Sequence, residues 1–168
     1  MGMALLGLSL KAIPDNSEPP NVLVFLMDDM GIGDCRAYNE ESKVSMPNLE
    51  RLAEHGMRFT DAHSPSAVCA PTRYSVMTGN YPWRGRNENG TWLFNMPSQV
   101  LPRQKTIGQL MKSAGYRTAF LGKVHLGGKP FSKSTGKPKF NMKGGFRDFN
   151  FSKRVEDTPA SLGFDYAY

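Results

Sequence analysis

The six residues VLVFLM at positions 22–27 constrain this chain more than any other stretch. They come after a proline-rich linker, PDNSEPPN, and stop abruptly at Asp28-Asp29. A run that is apolar at every position has no polar face to give to solvent. It is therefore expected to be a central strand of a sheet covered on both faces, as parallel strands are. Beyond it the chain alternates in kind. SMPNLERLAEHG carries Pro47 near a first turn, Leu49, Leu52 and Ala53 on one face and Gly56 as a stop, which predicts a helix. MRFTDAH, at 57–63, reads as a second strand, and a short helix is expected over 71–77, ending at Gly79. Thr106 can cap a helix whose Ile107, Leu110, Met111 and Ala114 fall at helical spacing, with Gly115 closing it. YRTAFLGKVH, at 116–125, is the next expected strand. Strands alternating with helices predict an α/β fold, a mostly parallel central sheet flanked by helices.

Beyond Leu126 the pattern gives way to a long Gly/Lys/Ser/Pro segment, and LGFDYAY at 162–168 offers no evident closing element. The 168 residues, 39% hydrophobic and 21% charged, suit one soluble domain with a core. The net charge of +6 is unevenly placed, since 127–154 holds eight Lys or Arg against one acid, Asp148. Residues 127–160 are thus expected to be a basic loop, most simply a solvated one. Nucleic acid is a poor partner, because no helix-turn-helix, zinc-finger or aromatic RNA-binding pattern accompanies the charge. The apolar stretch at 3–10 is too short to span a bilayer. Residues 1–18 read as a signal-like remnant and linker, although the positive residues that should precede such a signal are absent, and export to the periplasm or the extracellular space is expected. Asn89-Gly90-Thr91 and Asn150-Phe151-Ser152 have the form of glycosylation sequons.

In open α/β sheets, ligands bind beyond the carboxyl ends of the strands. Asp28-Asp29, Cys69, and Lys123 with His125 all fall at such ends. Adjacent carboxylates repel unless a cation holds them, which suits a hard divalent ion. Lys123 and His125, two apart on a strand, face the same side and can meet an anion with charge and a proton. Arg73 lies one helical turn from Cys69, at a helix start that adds partial positive charge. The ensemble predicts a metal-assisted site for an anionic, oxygen-rich group such as a sulfate or phosphate ester. Cys69 itself can be a buried filler, half of a bridge to Cys35, a nucleophile, or the substrate of a modifying enzyme. No P-loop, H-E-x-x-H or C-x-x-C occurs.

At these residues the sequence resembles the type I, formylglycine-dependent sulfatases of the alkaline phosphatase superfamily. The likeness runs through PNVLVFLMDDMGIGD, MPNLERLAEHGMRFTDAH, VCAPTRYSVMTGNYPWR, TIGQLMKSAGYRTAFLGKVHLG and LGFDYAY, with C-x-P-x-R at Cys69, Pro71 and Arg73 its most specific element. Thr72 stands where Ser is common in the family and Val124 where Trp is common. The resemblance implies an arylsulfatase-like sulfuric ester hydrolase acting on aryl sulfates or sulfated carbohydrates. It implies that a formylglycine-generating enzyme oxidises Cys69 to an aldehyde, whose hydrate attacks sulfur and then releases sulfate by C–O cleavage. It further implies that Asp28, Asp29 and residue 69 bind Ca²⁺, that Arg73 holds the formylglycine, and that Lys123 and His125 contact diol and sulfate. Residues 19–168 then correspond to the N-terminal portion of a sulfatase catalytic domain. Family members run to several hundred residues, and their second half supplies an Asp-Asn pair, another Lys and a His that are absent here. A truncated fold lacking its C-terminal half is therefore expected. Two other readings stay open: a phosphate or phosphonate ester hydrolase of the same superfamily, and a non-catalytic fragment holding sulfated glycans through the basic loop.

Overall fold

The computed structural model describes residues 18–88, 92–143 and 145–168. The apolar stretch at 3–10 and the sequon at 89–91 lie outside them. Three α-helices and a two-stranded parallel sheet form the framework: α1 (Pro47–His55), α2 (Cys69–Thr78), α3 (Ile107–Ser113), β1 (Ala119–Phe120) and β2 (Tyr166–Ala167). This is an α/β arrangement, with Ala119 paired to Tyr166 and Phe120 to Ala167 in parallel register.

Each helix arises from its own residues. In α1, Pro47 occupies the first turn, where its missing N–H costs nothing, and the Glu50 carboxylate accepts from the Met46 N–H at 3.1 Å. Helix α2 begins at Cys69, two residues before its expected start. It ends at Gly79, whose left-handed backbone (φ 67°) lets its N–H reach the Ser75 carbonyl at 2.8 Å. Its Ala70, Tyr74 and Met77 repeat at i, i+4 and i+7 and are buried. Thr106 caps α3 as expected: its hydroxyl accepts from the Gln109 N–H, and its own N–H donates to the Gln109 side-chain carbonyl, both at 3.2 Å.

The core gathers Ala70, Tyr74 and Met77 of α2 with Trp92, Val100, Leu126 and Leu162. Tyr74 and Trp92 meet with ring centroids 5.7 Å apart, and the Tyr74 hydroxyl accepts a hydrogen bond from Gln104 at 2.5 Å. Helix α3 is drawn tightly against residues 162–164, because a Cβ on Gly108 would stand 2.8 Å from the Leu162 carbonyl oxygen. Among the described residues no helix is long and apolar enough to cross a membrane.

Three expectations are corrected. Residues 22–27 form no strand, and their side chains are exposed, from 40% at Leu26 to 76% at Leu23. The stretch still runs beside 116–123 in parallel sense: the Tyr116 hydroxyl donates to the Pro20 carbonyl at 3.0 Å, and Lys123 meets Asp28 at 2.8 Å. No ladder bonds join the two among the described residues. A strand apolar on both faces is stabilised by cover on both faces, and here neither face has it. Residues 57–63 likewise form no strand, with Met57 and Phe59 exposed. Conversely, the terminal LGFDYAY, read as having no closing role, supplies β2.

The basic segment is also more than a solvated loop. Antiparallel bridges join Lys129 to Glu156, Phe131 to Pro138 and Ser132 to Phe149. Phe131 and Phe149 are buried within it, and Lys139, only 6% exposed, pairs with Asp148 at 3.0 Å. Asp148 also accepts from the Ser132 hydroxyl and the Ser134 N–H, and with Lys139 these hold its carboxyl far below the ordinary carboxylate range.

Candidate active site

The N-terminal turn of α2, the segment after β1 and the end of residues 22–28 converge. Cys69 is the first residue of α2 and is half-buried. Its Sγ lies 3.3 Å from Nδ1 of His125, a residue 56 positions away in sequence. The bridge to Cys35 weighed from sequence does not form: both thiols are free, Cys35 buried among other residues.

Arg73, one turn along α2, is the hub. Its Nη1 donates to the Lys123 carbonyl at 2.5 Å and its Nη2 to Asp28 at 3.3 Å. The guanidinium side chain is only 12% exposed, and its buried Nε has no hydrogen-bond partner. A buried N–H without an acceptor costs free energy on the order of 1–3 kcal/mol, so the position is suited to an incoming oxygen. Lys123 completes the group, its ammonium 2.8 Å from the Asp28 carboxylate. That contact first, and Arg73 second, hold the Asp28 carboxyl below its usual range. In return Asp28 raises the Lys123 ammonium above its ordinary value, with a smaller contribution from Cys69. Burial pushes the His125 imidazole down, and the nearby charges of Lys123 and Arg73 push it the same way. At neutral pH it is therefore the uncharged ring, able to accept a proton.

The backbone is unusual at the same place. Three non-glycine residues among those described adopt positive φ, and two of them are Asp29 (φ 63°) and His125 (φ 52°). Such conformations cluster where a surrounding structure over-determines them, commonly at functional sites. His125 is anchored by its chain neighbour Leu126, which is buried in the core.

The structure thus brings Cys69, Arg73, Lys123, His125 and Asp28 together. It does not assemble Asp28, Asp29 and Cys69 as a metal-ligand set: among the described residues no three His, Cys, Asp or Glu side chains gather closely enough to hold an ion. Asp28, the carboxylate expected to meet a metal, is neutralised by Lys123 and Arg73, while Asp29 is exposed beside it. Two adjacent carboxylates are the right kind of donor for a hard divalent cation but fall short of the roughly six to eight oxygens that Ca²⁺ takes.

Comparison with known proteins identifies the family. The sequence profile described as Sulfatase matches residues 20–165. An N-acetylgalactosamine-6-O-sulfatase of Bacteroides thetaiotaomicron is 38% identical over 171 aligned residues, covering 99% of this chain and 30% of that protein. Human steryl-sulfatase is 38% identical over 120 residues, covering 68% of this chain and 20% of that protein. A solved structure from work on the metabolism of multiple glycosaminoglycans by Bacteroides thetaiotaomicron superposes with a TM-score of 0.65 at 37% identity, covering 83% of this chain and 26% of that one. The chain thus spans about a third or less of the length of the relatives it matches. Membership implies, in general terms, a formylglycine and a divalent cation. With the profile match running over nearly the whole chain and the C-x-P-x-R cysteine standing against His125, Arg73 and Lys123, this chain belongs to the sulfatase family.

Proposed function

We propose that residues 19–168 are the N-terminal portion of a sulfatase catalytic domain that hydrolyses sulfate esters, with Cys69 as the precursor of the nucleophile. The observation that carries this reading is the meeting of Cys69 and His125 beside Arg73, whose buried Nε awaits an acceptor. Cys69 is small, half-buried and set against His125 with Lys123 nearby, which fits a side chain converted to an oxygen nucleophile. Once converted to formylglycine and hydrated, residue 69 supplies one hydroxyl that attacks sulfur and expels the ester's alcohol, and a second whose loss of a proton re-forms the aldehyde as the C–O bond to sulfate breaks.

The roles of the chain's own groups derive from their positions. Neutral His125 takes a proton from the atom that replaces Sγ. Arg73 Nε donates to an oxygen at residue 69 or on the ester, and Lys123 offsets charge developing on the sulfate oxygens. Asp28 orients both cations. Asp28 and Asp29 would contribute carboxylate oxygens to Ca²⁺, which when bound polarises the sulfate group. The remaining partners in this reading are an aryl sulfate or sulfated carbohydrate, a formylglycine-generating enzyme that recognises C-x-P-x-R, and export to an extracytoplasmic space.

Mass spectrometry of the protein co-produced with a formylglycine-generating enzyme should find an aldehyde in place of the thiol at residue 69. An unmodified thiol in an active preparation would overturn the nucleophile assignment. Matched aryl sulfate and aryl phosphate, compared as substrates, should favour the sulfate, and faster turnover of the phosphate would replace the reaction class.

A further inference from the structure

The lobe that begins four residues after His125 carries charge that nothing described within it neutralises. Of its Lys and Arg residues, Lys129 pairs with Glu156 and Lys139 with Asp148, while Lys153 lies 3.6 Å over the Phe131 ring. Lys133, Lys137, Lys143, Arg147 and Arg154 are exposed and form no ion pair among the described residues. The frame beneath them is fixed by the three antiparallel bridges and by the carboxylate of Asp148, bound to Lys139, Ser132 and Ser134. It is also tied to the core beside the candidate site, with the Gly128 N–H on the Met96 carbonyl at 2.8 Å. Charges presented on an ordered frame lose less conformational entropy on binding than charges on a free loop. Two aromatic rings stand among them, Phe146 at 61% and Phe151 at 74% exposure, each backed by the buried Phe149 at ring distances of 6.0 and 6.3 Å.

We propose that this lobe, residues 129–143 and 145–154, is an exosite for a sulfated polysaccharide, separate from the cluster around Cys69. The five unpaired cations meet sulfates along the polymer, and the faces of Phe146 and Phe151 take the apolar faces of sugar rings. Duplex nucleic acid fits less well, because the lobe's one helical element among the described residues is the three-residue turn Phe146–Asp148, which is too short to enter a groove. The proposal rests on the sulfatase reading for its choice of polyanion. It adds a holding surface that the chemistry at Cys69 does not need.

The test uses the Cys69→Ala protein, which removes the proposed turnover and leaves the lobe intact. Retention is measured on immobilised chondroitin sulfate, on unsulfated chondroitin and on duplex DNA, each eluted with stepped salt. Salt-sensitive retention on the sulfated polymer is expected, with little on the unsulfated one and less on DNA. Lys133→Gln, Lys137→Gln and Arg147→Gln combined should weaken binding about tenfold, a total of about 1.4 kcal/mol. Their circular dichroism should match the parent, since among the described residues no ion pair to these side chains supports the fold. Equal retention on unsulfated polymer or DNA, or unchanged elution of the triple variant, would overturn the exosite. Failure of the sulfatase reading is seen separately, as an unmodified thiol at residue 69 in an active preparation of the parent protein.

Discussion

At the residue scale, the ion pairs around Asp28 make a prediction that can be read without turnover. Asp28 is the main reason the Lys123 ammonium lies above its ordinary value. Asp28→Asn should therefore bring the Lys123 pKa back down, measurable by NMR titration of the side-chain ammonium. An unchanged Lys123 titration would show that the 2.8 Å pair does not persist in solution. Stability should change little, because both groups are more than 40% exposed. Cys69→Ala should be similarly mild for the fold, since an alanine is at home in the first turn of α2, yet it should abolish hydrolysis. Normal turnover in that variant would remove residue 69 from the chemistry. The residue types of this site were legible in the sequence, as Asp28, Cys69, Arg73, Lys123 and His125 each stood out. Their mutual arrangement was not. The fold sets Asp28 between two cations, whose side chains arrive from 45 and 95 residues away.

At the scale of elements, helices and strands differed in how well they could be read. The Thr106 cap, the Gly79 stop and the Pro47 start are local, and a helix satisfies its own backbone, so all three helices stand where they were expected to within two residues. A strand satisfies its backbone only through a partner. Residues 22–27 carry the apolar pattern and lack the partner, while residues 166–167 carry a weaker pattern and have one. The seam between α3 and residues 162–164 offers a test with an internal control. At Gly163, φ is 95° and an added Cβ would fall 2.5 Å from the Gln109 backbone nitrogen. At Gly79, φ is 67° and no atom lies within 4 Å of that position. Gly79→Ala should cost about 1 kcal/mol, for the left-handed conformation alone. Gly163→Ala should cost more, roughly 2–4 kcal/mol, from that strain together with displacement of α3. Urea melts of the two variants compare them directly, and equal losses would mean that α3 does not press on Gly163.

At the scale of the whole molecule, Asp165 is the tie between helix layer and sheet. Its carboxylate takes Lys112 of α3 at 2.5 Å and the N–H and hydroxyl of Thr118, just before β1, at 3.0 and 3.1 Å. Lys112 first, then Thr118, push its pKa down to about 2 from 3.8. A carboxyl whose folded pKa is depressed favours folding fully above its unfolded value and loses that contribution as pH falls through the folded one. The tie should therefore hold above about pH 4 and fail toward pH 2. Denaturation midpoints measured between pH 5 and pH 2 should fall more steeply for the parent than for Asp165→Asn, and parallel curves would refute the assignment. The exposed residues 22–27, with Met57 and Phe59, leave a large apolar surface, so self-association at rising concentration is expected, with light scattering as its measure. Monodispersity at high concentration would show that these residues are covered in solution.

The sequence by itself determined the α/β class, the three helices with their start and stop signals, and the chemical identity of the residues at the candidate site. These are properties of neighbours along the chain, set by spacing, capping and side-chain chemistry within a few positions. The tertiary structure alone decided that LGFDYAY supplies a strand, that the basic segment is a folded lobe, that Cys69 faces His125 rather than Cys35, and that Asp28 answers to Arg73 and Lys123. Each of these depends on groups brought together from distant parts of the chain, and pairing, burial and charge neutralisation take effect only once the chain has closed on itself.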